Sequence, residues 1–242
     1  MFRIELVKLK RRKIGYLLPL VVIVLFLLEW MIGNQLYQGH RYGSVNGWYL
    51  ENGFFFLNYY FLLPLSSLIL VDLIGMEDQS KTITSLRLIP VDLKQLLQTK
   101  FLLTLFATVL LSEFTFCAML LLEMTDGEFT LPLFGLLSWL LGYGVIALAD
   151  TFVAGIVVLL LGKYGKPLVF ALPISFLLAF AGLFALSTTL GQYYLVNLPL
   201  LLMKGATFLT VLAYAFWLLA LMMAVFYLLF DKGVAKTVLR VE

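Results

Sequence analysis

Apolar stretches separated by short charged segments organise the whole chain. Each stretch has about the 20 residues that a helix needs to cross the hydrocarbon core of a bilayer. The pattern predicts six membrane spans, numbered 1 to 6, at about residues 14–31, 52–71, 101–122, 131–161, 168–190 and 206–230. Residues 1–13 form a cytoplasmic amphipathic start, and residues 1–242 are predicted to be a single transmembrane domain.

The longest uncharged stretch lies between Lys166 and Lys204, where 37 residues carry no Lys, Arg, Asp or Glu. This length exceeds one simple span but is too short for two spans with a turn. We therefore expect span 5 to be followed by a re-entrant segment, residues 191–205, at the outer face. Tyr194 and Asn197 suit such a segment, because Tyr is enriched at the membrane–water interface and non-helical backbone is tolerated where protein covers it.

The composition agrees with a membrane protein and excludes two soluble classes. Hydrophobic residues make up 62% of the 242 residues and charged residues only 13%, whereas a soluble domain is about half apolar. Six spans with short connections use nearly the whole chain, so no separate soluble domain fits. A soluble enzyme and a cytosolic nucleic-acid-binding protein are therefore excluded, and no nucleic-acid partner is expected.

The positions of the basic residues predict the orientation in the membrane. If the N-terminus is inside the cell, 15 of the 17 Lys and Arg residues lie on cytoplasmic segments, and only Arg41 and Lys204 lie outside. Cytoplasmic loops carry such an excess of basic residues in membrane proteins generally. The chain is therefore predicted to be an all-α integral membrane protein with both termini cytoplasmic.

Residue types that build catalytic and metal sites are scarce. The chain has one His, His40, and one Cys, Cys117, so a His and Cys metal cluster cannot form within it. The Gly-Lys pairs at 162–163 and 165–166 lack the preceding Gly and the following Ser or Thr of a phosphate-binding loop. We therefore predict no catalytic residue, no metal site and no cofactor bound by this chain.

Two acidic residues are unusual because they lie at bilayer depth. Glu113 falls within span 3 and Asp150 within span 4, where a charge is costly and normally faces a partner or a wet cavity. One possibility is a structural role, in which each acid pairs with a polar group of a neighbouring helix or lies in a wet cleft of an oligomer. The other is that the two acids are the proton sites of a carrier. Glu29 and Asp72 lie nearer the interfaces, where they are expected to reach headgroups or water.

The loop after span 2, residues 76–100, is the most informative polar segment. Ser80 can cap a short helix, and Pro90 ends it. Apolar residues spaced three apart, with Leu86 at their centre, lie on one side of this helix. Such a helix either lies on lipid headgroups or presents its apolar side to a soluble partner.

The residues of this loop resemble the cytoplasmic loop of ABC-2 type transporter permeases. That loop usually reads Glu, Gly-Thr, Leu-Leu, Pro-Val or Pro-Ile, then Lys, and the matching positions here are Glu77, Thr82, Leu86, Pro90, Val91 and Lys100. Lys81 departs from the pattern, since the family commonly has Gly there. Glu5 and Lys8 are similar to the family's amphipathic start. Length and the basic start look most like the lantibiotic and bacteriocin self-protection (immunity) permeases.

The resemblance implies an ABC-2 (type V exporter-like) permease in the bacterial cytoplasmic membrane. Two copies of a separately encoded ABC ATPase would bind ATP and Mg, and a second permease, identical or paralogous, would complete the transporter. The ATPase-coupling residues would be Glu77, Thr82, Leu86 and Pro90. The substrate would be an antimicrobial peptide or a similar hydrophobic molecule, removed from the membrane.

Two other functions stay open at this point. A proton-coupled secondary carrier would use Glu113 and Asp150, and a protonophore would then stop transport with ATP intact. A non-transporting membrane protein, such as a receptor subunit or an intramembrane enzyme, is the third possibility. An ATPase encoded beside this chain would favour the permease.

Overall fold

The computed structural model describes residues 14–37, 39–79, 93–125, 132–186, 188, 194, 196–197 and 208–238. Six helices within these ranges are long and apolar enough to cross a membrane. The prediction of an all-α protein with six membrane-spanning helices is therefore confirmed. The start of the chain (residues 1–13) and most of the predicted re-entrant segment 191–205 lie outside the described residues.

The spans have the following bounds. Span 1 is the helix Ile14–Gly33, span 3 is Leu93–Thr125, span 4 is Leu133–Lys163 and span 6 is Phe208–Phe230. Span 2 is continuous from an α-helix Trp48–Phe56 through a π-helical turn Leu57–Leu62 to an α-helix Leu63–Gln79. Span 5 joins a 3-10 turn Leu168–Phe170 to the helix Ala171–Leu186, and a short helix Lys232–Val238 follows span 6.

A small hairpin connects spans 1 and 2. Its strands, Leu36–Tyr37 and His40–Arg41, pair antiparallel, and a 3-10 turn Tyr42–Ser44 follows. Gly47 then adopts φ +84°, a left-handed conformation that glycine accepts without a side-chain clash. This turn directs the chain into span 2, whose helix begins at Trp48, ahead of the apolar stretch that starts near residue 52.

Span 4 lies at the centre of the bundle and packs against spans 2, 3 and 6. Small residues spaced four apart, Ala147, Thr151 and Gly155, are all buried on it, and such residues let helix backbones approach closely. A Cβ on Gly155 would overlap the ring of Phe101 on span 3. Glycine at this position therefore permits the contact between spans 3 and 4.

Two apolar clusters hold the two halves of the bundle. One joins spans 1 to 4 and includes Leu25, Leu57, Met119 and Tyr143. The other joins spans 2 to 6 with the short helix after span 6. There, a Cβ on Gly162 would meet the side chain of Val238, so the short helix packs directly on the end of span 4.

Candidate functional site

A buried lysine joins spans 2 and 3 close to the 76–100 loop. Lys100 on span 3 is fully buried, and its Nζ donates a hydrogen bond to the carbonyl oxygen of Leu73 on span 2. Leu70 on span 2 and Phe101 on span 3 are buried in one apolar cluster. The two spans are therefore bound together where they enter and leave the loop.

The predicted coupling residues fall largely outside the described ranges. Glu77 lies in the last two turns of the helix Leu63–Gln79, at the start of the loop. Thr82, Leu86 and Pro90 lie outside the described residues, so their role stays a prediction. The structure describes how the chain enters the loop and how it returns through span 3.

A row of hydroxyl groups extends from Lys100 along one side of span 3. Thr104, Thr108, Ser112 and Thr115 are all fully buried, and each hydroxyl bonds a carbonyl. Thr108 also shares a hydrogen bond of 2.6 Å with Thr151 of span 4, and Ser112 donates to the carbonyl oxygen of span 4 residue 143 at 2.7 Å. These bonds fix spans 3 and 4 to each other in addition to their apolar packing.

Asp150 lies inside the bundle, beside this row. It is 1% exposed, directly before Thr151, and within electrostatic reach of the phenol groups of Tyr59 and Tyr214. Its Oδ2 accepts no hydrogen bond in the part of the chain that the structure describes. The side chain therefore faces protein, as intramembrane acids usually do, and not lipid.

Glu113 occupies a different environment. It is half-buried, and its carboxylate lies against Gly144 on span 4, where a Cβ would be 3.0 Å from Oε1. Its helix face also carries the exposed side chains of Phe106, Leu110 and Cys117. Gly144 precedes Asp150 by six residues, about 9 Å along the helix. Within the described ranges no hydrogen bond or ion pair joins the two acids, so the structure does not bring them together.

Glu29 corrects an expectation from the sequence. We expected it to reach headgroups or water, but it is fully buried, and Asn52 of span 2 donates to its Oε2 at 3.1 Å. Its other oxygen has no hydrogen-bond donor among the described residues. The sequence shows how deep a residue lies but not which side of the helix it occupies, and residue 29 faces span 2.

Glu123 at the outer end of span 3 is a further acid with a structural role. Its carboxylate accepts hydrogen bonds from the backbone N–H groups of Gly47, at 2.5 Å, and Tyr49, at 3.1 Å. The first N–H groups of a helix lack intrahelical partners and attract negative charge. Glu123 therefore caps span 2 and joins its outer end to span 3.

The π-helical turn of span 2 binds the chain that follows span 5. Asn58 donates to the carbonyl oxygen of Val196 at 2.8 Å, and Tyr59 donates to Oδ1 of Asn197 at 2.7 Å. Tyr194 donates to a span 5 carbonyl at 2.7 Å. All three bonds hold described residues of the 194–197 region inside the bundle. Sequence reasoning missed this role of Asn58, whose signal is an amide within an otherwise apolar stretch.

An apolar groove opens between spans 1 and 3. Its volume is about 440 Å³, and its lining contains no charged or polar side chain. The residues that form it are Gly15, Leu18, Pro19, Val22, Ile23, Leu110, Leu111 and Phe114. Since these residues belong to two membrane-spanning helices, the groove lies within the membrane-spanning part of the chain, and its lining suits an apolar chain or side chain.

Within the described ranges, no group of three or more His, Cys, Asp or Glu residues is placed to hold a metal ion.

Comparison with known proteins identifies one family. Residues 1–182 match the family described as ABC-2 family transporter protein. No curated protein matches the chain, and no solved structure does. The match includes spans 1 to 4, most of span 5 and the 76–100 loop. The chain therefore belongs to the ABC-2 transporter family, as a multi-pass membrane subunit of the kind that works with an ABC ATPase.

Proposed function

We propose that the chain is the permease of an exporter that protects a bacterial cell from an antimicrobial peptide, of the lantibiotic or bacteriocin type, or from a similar hydrophobic molecule. The substrate leaves the cytoplasmic membrane at the expense of ATP hydrolysed in a separate chain. The apolar groove between spans 1 and 3 is the observation that supports a hydrophobic substrate. It lies between two membrane-spanning helices, and an amphipathic peptide accumulates in the membrane.

Partner chains supply the energy. Two copies of an ABC ATPase hold ATP and Mg, and a second permease, identical or paralogous, completes the membrane part. The 76–100 loop docks on the ATPase through Glu77, Thr82, Leu86 and Pro90. A helix that places its apolar side in a groove is a common recognition mode, and the match to the family includes this loop.

Glu51 and Glu123, two outer acids that the structure describes, differ in their access to a peptide. Glu123 is buried and occupied with the start of span 2, so a cationic peptide does not meet it. Glu51 is exposed on the first turns of the same helix. Asp126 and Glu128 lie outside the described residues. Of Glu51 and Glu123, Glu51 is therefore the one that a cationic peptide can reach.

A proton-coupled carrier built on Glu113 and Asp150 receives no support from their positions. Such a carrier needs acids that exchange a proton or alternate access to water along one path. Here Asp150 lies inside the bundle, whereas Glu113 is half-buried on a helix face that also carries Phe106 and Cys117. The family match favours an ATP-driven subunit instead.

Growth in the presence of peptide tests the proposed function. Cells that express the permease with its neighbouring ATPase should tolerate a higher concentration of a membrane-active cationic peptide than cells with the permease alone. A Walker lysine substitution in the ATPase is the matched control and should abolish the protection. Equal tolerance in all strains across a panel of lantibiotics and bacteriocins would contradict the proposal.

A further inference from the structure

A second apolar groove lies between spans 3 and 6. Its volume is about 220 Å³, and its lining is apolar apart from the side chain of Gln98 on span 3. Leu102 of span 3 and Phe226 of span 6 line it with exposed side chains, so the groove is accessible from outside the chain. Both spans are long and apolar enough to cross a membrane. The groove therefore lies within the membrane-spanning part of the protein.

The polarity of this groove changes along its length. Lys94, Gln98 and Leu102 are spaced four apart on span 3, so they lie on one side of the helix. The Nζ atom of Lys94 lies 6.0 Å from the centre of the Phe230 ring, and Phe230 lines the groove. One end of the groove therefore carries an ammonium and an amide, whereas the other end, at Leu105, is apolar.

The polar end is the end where the 76–100 loop returns to the bundle. Lys94 lies in the first turn of the helix Leu93–Thr125, and the distribution of Lys and Arg predicts that this end is cytoplasmic. The cytoplasmic leaflet has a negative surface potential, and basic pockets between membrane-spanning helices on that side bind anionic lipid headgroups. A phospholipid has the same order of polarity as the groove, with a phosphate followed by apolar acyl chains.

We propose that this groove is a binding site for one anionic phospholipid of the cytoplasmic leaflet. Its phosphate lies at Lys94 and Gln98, and part of one acyl chain lies against Leu105 and Met222. An ammonium carries three N–H donors, so Lys94 can bind a phosphate oxygen and keep its contacts within the protein. The volume is below the range of about 300–1,000 Å³ that holds a drug-sized ligand, which suits part of an acyl chain better than a peptide.

The acid next to the groove is engaged elsewhere. Asp231 follows Phe230 directly, and its Oδ2 lies 3.9 Å from Nζ of Lys163 on span 4. Its Oδ1 accepts a hydrogen bond of 2.8 Å from the backbone N–H of Gly233. No acid is among the described residues that line the groove. The lining therefore offers a phosphate a cation and an amide without a facing carboxylate.

Lipid binding to the purified permease tests the inference without an ATPase or an exported substrate. We would titrate the protein in detergent with short-chain phosphatidylglycerol or phosphatidylcholine and measure bound lipid by native mass spectrometry. Phosphatidylglycerol should bind more tightly. Free glycerol phosphate has the phosphate without the chains and should not displace it. Equal affinity for the two lipids would overturn the inference, and so would displacement by glycerol phosphate, which would make this a site for free phosphate.

A pair of lysine variants tests the position of the headgroup. Lys94→Gln should bind phosphatidylglycerol about fivefold more weakly, which corresponds to about 1 kcal/mol for one lysine near the headgroup. Its affinity for phosphatidylcholine should change little. Lys166→Gln removes the same charge from an exposed lysine between spans 4 and 5 and should bind like wild type. Equal losses in both variants would show general attraction to a basic surface and would overturn the inference.

Photochemical crosslinking tests the position of the acyl chain. Phosphatidylglycerol with a photoreactive acyl chain, in phosphatidylcholine vesicles, should label the segments that contain Leu102 and Phe226. The groove between spans 1 and 3 has no basic side chain in its lining and is the internal control. Lys94→Gln should reduce labelling at spans 3 and 6 and leave labelling at Val22 unchanged, which also shows that the variant is folded. Labelling of both grooves that is equal, or equally reduced in Lys94→Gln, would overturn the inference.

Discussion

The hydroxyl group of Tyr59 lies 2.7 Å from Oδ1 of Asn197, and both side chains are buried. The bond joins the π-helical turn of span 2 to the chain between spans 5 and 6. Single π-helical turns often mark functional sites. Gly182 of span 5 makes the junction possible, because a Cβ there would be about 3.0 Å from both the ring of Tyr59 and Asn197.

Removal of this hydroxyl should loosen the junction. Tyr59→Phe keeps the ring and deletes one buried hydrogen bond, so we expect a destabilisation of about 1–3 kcal/mol, because Oδ1 of Asn197 loses a donor. A cysteine at Val196, in a Cys117→Ser background, should then react faster with a maleimide. Tyr60→Phe, at the next position, is the control and should leave the rate unchanged. Equal rates in both variants would contradict the role of Tyr59.

The cap on span 2 gives a second prediction. Glu123→Gln should lower the melting temperature in detergent, because the carboxylate accepts two backbone hydrogen bonds and hydrogen bonds to charged groups contribute about 1.5–3 kcal/mol each. The amide keeps one acceptor oxygen, so the expected loss is about 1–2 kcal/mol. The control is Glu51→Gln, which alters an exposed acid in the first turn of span 2, the helix that Glu123 caps. A larger effect of Glu51→Gln would show that Glu123 is not the cap.

The membrane acids should tolerate neutral replacements. Asp150→Asn retains hydrogen-bonding groups and removes the cost of burying a charge, so we expect transport to persist at a substantial fraction of the wild-type rate. Glu113→Gln should behave alike, although its surroundings differ. The measurement is transport at matched expression and assembly. Complete loss of transport in Asp150→Asn would restore the proton-carrier hypothesis.

The orientation is a separate prediction, which rests on the distribution of Lys and Arg. In a Cys117→Ser background, cysteines at the exposed Val45 and at Glu128 should react with an impermeant maleimide in intact cells. Cysteines at Ser85 and Lys236 should react only after permeabilisation. Labelling of Ser85 from outside would invert the topology and remove the loop from the cytoplasm.

The six spans could be predicted from the sequence because a bilayer demands long apolar helices and tolerates few charges within them. The partners of individual polar residues could not be predicted in the same way. Depth along a span follows from sequence position, but the direction of a side chain depends on how helices that are apolar on every side rotate against each other. Glu29, Lys100 and Glu123 are examples, since each is buried against a neighbouring span.

The π-helical turn shows a second limit. One extra residue in a helical turn changes the direction of every side chain that follows it. The amino-acid sequence of residues 57–62 does not distinguish that turn from a regular helix. The contacts of Asn58 and Tyr59 with the 194–197 region follow from this turn. They join residues far apart in the chain, which a pattern within one span does not reveal.

Binding of the ATPase tests the central claim most directly. We would purify the wild-type permease, Leu86→Asp and the control Ser85→Asp, each with the neighbouring ATPase, and measure co-elution. A charge at a central apolar anchor costs about 2 kcal/mol or more, so Leu86→Asp should bind roughly thirtyfold more weakly. On the predicted loop helix, Ser85 lies off the side that carries Leu86, so Ser85→Asp should bind like wild type. Undiminished binding of Leu86→Asp would contradict the docking role of the loop, and a wild-type permease that binds no ATPase would contradict the account of an ATP-driven permease.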